Sequence, residues 1–287
     1  MIPAQFEYHR PASVSEALQL LRSLPDAKLL AGGHSLLPMM KLRLTSPAHL
    51  IDLGRIKDLR YIKESGSAVA IGALTTHWTI ESSPLVQQKL PSLAECARSI
   101  GDVQVRNVGT IGGSLAHTDP AADYPAAILA LNADLVAEGP RGRRTIASGE
   151  FFTGLFSTAL RPDEILVEVK MPVLPPRTGS AYLKFPHPAS GFAVVGVAAV
   201  LTLDSKGRCE QARIGITGVG PFAYRPQRTE DALRGVALDD KTIAAAADKA
   251  GDGVDVNEDI FASADYRRHL AQVFTRRAIK AALQRAR

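Results

Sequence analysis

The chain has 287 residues, 46% hydrophobic and 22% charged, with 23 Gly and 18 Pro, which is ordinary globular composition and enough length for two domains. The net charge of +5 concentrates only at the C-terminus (Arg276, Arg277, Lys280, Arg285, Arg287), and the aromatics, 6% of the chain, do not interleave with it. That cluster reads as a solvated helix face and carries no nucleic-acid footprint. Two cysteines, Cys96 and Cys209, are too few and too separated for a zinc site or an iron–sulfur cluster held within the chain. As free thiols they suit a reducing compartment, so a cytoplasmic location is expected.

The first residues, Met1 to Glu7, have neither a basic nor an apolar signal-peptide region. The longest apolar stretch, Phe192 to Leu203, is far too short to span a bilayer. Phe6 and Tyr8 alternate as in a short edge strand, which Pro11 breaks. Ser13 and Glu16 have capping-box spacing, and Ala17, Leu18, Leu20, Leu21 and Leu24 supply a helical stripe. Lys28 to Ala31 reads as a buried strand that runs into Gly32-Gly33-His34-Ser35, making one β-α-β unit with a loop at its end. Leu36 to Leu42 fits a short helix. Leu50 to Leu53 and Ala68 to Gly72 fit strands. Thr75-Thr76 reads as a cap before His77, and Ser92 to Glu95 as a capping box opening the helix of Cys96.

The stretch Arg106-Asn107-Val108-Gly109-Thr110-Ile111-Gly112-Gly113-Ser114 has three glycines in five positions and is not expected inside a regular helix or strand. Asp119 before Pro120 suggests a turn, and Asp123 or Tyr124 with Pro125 the start of a helix running to Leu131. Residues 134–138 and 143–146 form a predicted hairpin, and Glu164 to Val169 an alternating strand. Pro172, Pro175 and Pro176 mark a linker, and the domain boundary is expected there. Beyond it come β-rich runs at 193–203 and 211–218, an alanine-rich helix at 241–250, and a final helix capped by Ser263.

Two glycine loops organise this pattern, Ala31-Gly32-Gly33-His34-Ser35 and Thr110-Ile111-Gly112-Gly113-Ser114. Paired glycines admit positive φ, and successive N–H groups in such turns converge on anions. Two such loops suggest two nests on one diphosphate. No lysine follows either glycine pair, which disfavours a P-loop, and neither loop has dinucleotide-fold glycine spacing. His34 and His117 beside the loops read first as turn histidines bonding backbone. For Asp123, helix capping and ribose binding stand level. Asp119 and Asp123 make a weak metal case.

The two loops, with Asp119-Pro120-Ala121-Ala122-Asp123-Tyr124-Pro125, resemble the FAD-binding medium subunit of molybdenum hydroxylases, the family of carbon monoxide dehydrogenase medium subunits and xanthine dehydrogenase flavin domains. The resemblance runs from Phe6-Glu7-Tyr8 through Ala181 to Phe185 and Ser190 to Val195. It implies an α+β fold. An FAD-binding region of the PCMH type (residues 1–176, with α/β subdomains of about 1–57 and 58–176) would precede a C-terminal α+β domain (177–287) with a small antiparallel sheet and helices. It implies that Ala31, Gly32, Gly33, His34, Ser35 and Leu36, with Thr110, Ile111, Gly112, Gly113 and Ser114, hold the FAD diphosphate. Ser114 stands where many members have Asn, which keeps a donor and shortens the reach. By the same resemblance Asp123 serves the adenosine side, Leu166 packs near the cofactor, and Tyr182 and Lys184 reach the isoalloxazine. The cofactor would be non-covalent.

The implied partners are a large molybdopterin subunit and a small [2Fe–2S] subunit in a dimer of heterotrimers, with electrons passing to an external acceptor. The C-terminal helix and the Leu36 to Leu44 segment are candidate partner surfaces. A self-contained flavin oxidoreductase of the same fold, and a scaffold whose loops are only turns, are the alternatives.

Overall fold

The computed structural model describes residues 1–286; Arg287 of the basic cluster lies outside the described residues. The chain opens with β1 (Glu7–His9), α1 (Val14–Ser23), β2 (Ala27–Leu30), α2 (Leu36–Lys41) and β3 (His49–Asp52). The three strands are parallel in the order β1-β3-β2. The expected β-α-β unit is therefore split, because β3 pairs between β1 and β2. Helix α1 starts as its capping residues dictate: the Glu16 amide donates to Ser13 Oγ at 3.2 Å, and the Glu16 carboxylate accepts from the Ala12 amide at 2.7 Å. Ala17 and Leu18 on its inner face are buried with Ile51 and Leu53.

The second unit comprises β4 (Ile62–Ser65), β5 (Ala68–Gly72), α3 (His77–Ser82), α4 (Pro84–Lys89), α5 (Pro91–Arg98), α6 (Val103–Val108), α7 (Ile111–His117) and α8 (Tyr124–Ala130). It continues through β6 (Asp134–Gly139), β7 (Gly142–Ala147), α9 (Ser148–Phe151), β8 (Phe152–Gly154), β9 (Ser157–Thr158) and β10 (Ile165–Pro172). Its five-stranded sheet runs β4-β5-β10-β6-β7, antiparallel throughout, with β8 and β9 a separate hairpin. Strand β10 sits at the centre, so it is buried on both faces.

Two local expectations need correction. Helix α5 starts at Pro91, with proline at its first position, and Ser92 lies buried inside it, its amide donating to Ser180 Oγ at 3.3 Å. The glycine stretch 111–114 is helical: Thr110 caps α7, and Gly112 and Gly113 form its first turn. Glycine's low helix propensity is overridden by close packing, because a Cβ on Gly112 would lie 2.5 Å from Ala73 Cβ.

The last unit contains β11 (Thr178–Pro186), β12 (Ala193–Leu203), β13 (Cys209–Thr217), α10 (Gln227–Leu233), α11 (Asp240–Ala247) and α12 (Ala264–Ala286). The antiparallel sheet β11-β12-β13 is covered on both faces, and the strand period of two divides its residues. Ala181, Val195, Val197, Ala199, Ile214 and Ile216 pack in the cluster with Phe274, Ala278 and Ala282 of α12. Tyr182, Ala198 and Val200 point the other way, into the cluster built from α5 and α8. Glycines mark the closest approaches: a Cβ on Gly179 would overlap Ala282 O, and one on Gly215 would overlap Ala126 O. The basic face of α12 is not wholly solvated. Arg285 donates to Glu95 Oε1 at 2.6 Å, and Lys280 reaches Asp240 at 2.7 Å.

Candidate functional site

The two glycine loops lie against each other. A Cβ on Gly32 would stand 2.5 Å from Val108 O and 2.7 Å from Gly109 Cα, and one on Gly113 would stand 3.5 Å from Ala31 Cβ. Glycine at 32 and 113 lets the two backbones meet at a seam. Strand β2 delivers the first loop, and the bridge between Thr76 and Thr110 anchors the second.

The loops differ in what they offer a ligand. In the second, the Ile111 amide donates to Thr75 O, the Gly112 amide to Ala73 O, and the Gly113 amide to Thr110 Oγ1. Those donors are spent inside the protein. In the first, the amides of Gly32, Gly33, His34, Ser35 and Leu36 have no acceptor among the described residues. Gly33 takes φ +71°, the left-handed conformation that turns successive N–H groups to one side. Of the two loops expected to be nests, only the first keeps free backbone donors; the second brings close backbone approach with Thr110 and Ser114 nearby. His34 Nδ1 pairs with Gly32 O at 2.8 Å, folding the ring back onto its own loop.

Asp123, Tyr182 and Lys184 form a single buried cluster. The Tyr182 hydroxyl donates to Asp123 Oδ1 at 2.5 Å, and Lys184 Nζ donates to Asp123 Oδ2 and to Ser99 O, each at 2.9 Å. The Asp123 and Lys184 side chains are only 5% and 6% exposed. Burial pushes the Asp123 carboxyl upward, opposed by the Lys184 ammonium and the Tyr182 hydroxyl; burial also raises the Tyr182 phenol well above its ordinary range. The cluster corrects one expectation. Asp123 does not cap α8 with its side chain. Tyr182 and Lys184 both bond Asp123, so the side chains expected at the adenosine and isoalloxazine ends of the cofactor stand together in one place. They tie β11 to the start of α8. Leu166 is buried in the same apolar cluster as Ile111 and Leu115 of α7.

His77 was legible only as the residue after a helix cap. It is buried beneath the seam, its Nδ1 3.2 Å from the Tyr124 hydroxyl, and a Cβ on Gly109 would lie 2.6 Å from its Nε2. Burial drives the imidazole down to about 4, so it is neutral. No local signal marks it, because its partners lie more than thirty residues away. His117 packs on the Phe156 ring, with centroids 5.2 Å apart, and burial lowers its pKa. A cavity of about 430 Å³ between α3 and α5, lined by residues including Trp78, Glu81, Pro91 and Arg98, contains no residue of either glycine loop.

A flavin dinucleotide needs amide donors for its diphosphate and a surface where backbone approaches closely. The five unpartnered amides of the first loop and the glycine seam meet both requirements. Residues 4–174 match the family model of the FAD binding domain in molybdopterin dehydrogenase, and residues 180–282 that of the CO dehydrogenase flavoprotein C-terminal domain. The chain is 47% identical over 286 residues to the carbon monoxide dehydrogenase medium chain of Hydrogenophaga pseudoflava, covering 99% of each. It is 40% identical to the 6-hydroxypseudooxynicotine dehydrogenase complex subunit alpha of Paenarthrobacter nicotinovorans, covering 100% of this chain and 97% of that one. A solved carbon monoxide dehydrogenase of Hydrogenophaga pseudoflava superposes with a TM-score of 0.96 at 48% identity, over 99% of both chains. The chain therefore belongs to the FAD-binding medium-chain family of the molybdenum hydroxylases, a family of oxidoreductase components whose cofactor is FAD.

Proposed function

We propose that this chain is the electron-transfer subunit of a heteromeric molybdenum hydroxylase. In this reading a large molybdopterin subunit oxidises the organic substrate, a small subunit relays electrons through [2Fe–2S] clusters, and this chain passes them to an external acceptor. The assembly is a dimer of heterotrimers in the reducing cytoplasm, where the buried Cys96 and Cys209 stay free thiols. Among the described residues no helix is long and apolar enough to cross a membrane. Bound FAD supplies an electron carrier that takes electrons singly and releases them as a pair.

The observation that carries the reading is the row of five unpartnered amides from Gly32 to Leu36 at the glycine seam. Those amides hold the diphosphate. Thr110, Ile111, Gly112, Gly113 and Ser114 form the opposing wall, with Ala31 between. Leu166 supports that wall from below. Asp123, Tyr182 and Lys184 lock the C-terminal sheet to the cofactor-binding half and keep the cleft rigid. The halves divide at the proline segment, 1–176 and 177–287, with subdomains of about 1–57 and 58–176. Of the two candidate partner surfaces, the α2 segment is favoured: Leu42 and Leu44 are 52% and 71% exposed, whereas the apolar face of α12 is spent on the sheet.

The test is spectroscopic. The purified chain should show flavin absorbance near ~450 nm, fixed by cofactor electronics. Acid precipitation should release all the colour to the supernatant. Reduced [2Fe–2S] partner should bleach the band, and the chain alone should not turn over an organic substrate. Turnover without partner chains would instead establish the self-contained oxidoreductase. Reduction by NADH would name a nicotinamide as the acceptor class.

A further inference from the structure

We propose that Glu7, His9 and His49 form a binding site for a divalent first-row transition ion of the zinc class, at the outer edge of the N-terminal sheet. Strands β1 and β3 run parallel with Glu7 opposite His49 in register. His9 lies two residues beyond Glu7 and so shares its face. His9 Nε2 stands 3.2 Å from His49 Nδ1, and Glu7 Oε2 stands 3.4 Å from His49 Nδ1 and 3.9 Å from His9 Nε2. Ligands held tetrahedrally at ~2.0–2.1 Å from zinc are separated by about 3.4 Å. A point about 2.1 Å from all three of these atoms exists, so their spacing suits such an ion.

Two imidazoles and one carboxylate match the ligand set of open zinc sites, which leave a fourth position for water. The geometry is open on that side: His49 and His9 are 15% and 22% exposed, and Glu7 is 73% exposed. Nearby competing charge is occupied elsewhere, because Arg10 and Tyr8 both engage Asp52. Without an ion, two imidazole nitrogens face each other and one must donate to the other. With an ion, both present lone pairs to it.

The site is separate from the glycine seam. The first loop leaves the far end of β2, whereas β1 occupies the opposite edge and His49 opens β3. An ion there would staple β1, a strand with only three paired residues, to its neighbour.

The flavin-loaded full chain, stripped with chelator, is titrated calorimetrically with zinc chloride at neutral pH. One site per chain with micromolar or tighter affinity is expected. Glu7→Gln should weaken it at least tenfold, and the His9→Gln/His49→Gln double variant should abolish it. His269→Gln, on the exposed face of α12, should leave it intact. Zinc at a hundredfold excess over Kd should raise the thermal midpoint by about 5 °C in the parent chain and less in Glu7→Gln. Flavin content should stay constant throughout. Absence of a saturable site, or affinity unchanged in Glu7→Gln, would overturn the proposal. The Glu7 side chain is exposed, and the described ion pairs it makes are those to the two histidines, so that variant reads the site even if the double variant fails to fold.

Discussion

Gly33 and Gly112 are both loop glycines in the sequence, yet they are glycine for different reasons. Gly33 needs positive φ, where an L-residue costs roughly 1–2 kcal/mol, and its Cβ would also press on Leu37 at 2.9 Å. Gly33→Val should therefore reorient the amide row and lower bound flavin at least tenfold, while the far-UV circular dichroism stays unchanged. Gly112 has ordinary φ but no space, because a Cβ would meet Ala73 O at 2.7 Å. Gly112→Val should lower the thermal midpoint and the flavin content together. His77 gives a pH prediction. Its folded pKa of about 4 lies below the ordinary imidazole value of 6.5, so the unfolded chain binds the extra proton between them. The stability it contributes is complete above pH 6.5 and falls away as pH drops to 4, by about 3 kcal/mol in full. Urea midpoints measured across that range should slope downward with acid, and His77→Asn should flatten the slope.

The elements best read from sequence are those whose signals are local. The Ser13 and Thr76 caps and the 139–142 hairpin turn appear where expected, because cap and turn chemistry involves neighbours in the chain. Strand β3 entering between β1 and β2 was not legible, since register between distant strands is set by which faces they bury. Nor was the helical state of 111–117, which depends on Ala73 and Thr75 accepting the first amides of α7. The sheet β11-β12-β13 offers a test at this scale. Gly215 abuts the α8 backbone, so Gly215→Ala should cost about 1–3 kcal/mol through overpacking. Gly149→Ala, where a Cβ meets open space, should be neutral by the same denaturation assay.

Across the whole molecule the two halves share one interior. Tyr182, Ala198, Val200 and Ala223 belong to the same apolar cluster as Leu93, Tyr124 and Ile128. The buried Lys184–Asp123 pair and the Arg285–Glu95 pair cross the same boundary. Breaking the first would leave a buried charge unpaired, at about 3–5 kcal/mol. Scanning calorimetry of the full chain should accordingly show one cooperative transition. A fragment ending at Pro176 should aggregate, because its α5 and α8 faces would be stripped of their cover. Two resolved transitions, or a soluble folded fragment, would show that the proline segment divides independent units.

The sequence by itself determined the composition class, the caps, the strand and helix runs, and the family, because each rests on short-range pattern or on a motif read along the chain. The glycine loops were visible as a pair at that level. Only the tertiary structure decided that they are unequal. Whether a backbone amide is available to a ligand depends on acceptors brought from elsewhere in the fold, here Ala73 O and Thr75 O, which take the donors of the second loop and leave those of the first. The same holds for Asp123, read along the chain as a helix cap or a ligand contact: the fold gives its carboxylate Tyr182 and Lys184 as partners, from a strand about sixty residues away, in place of the cap bond.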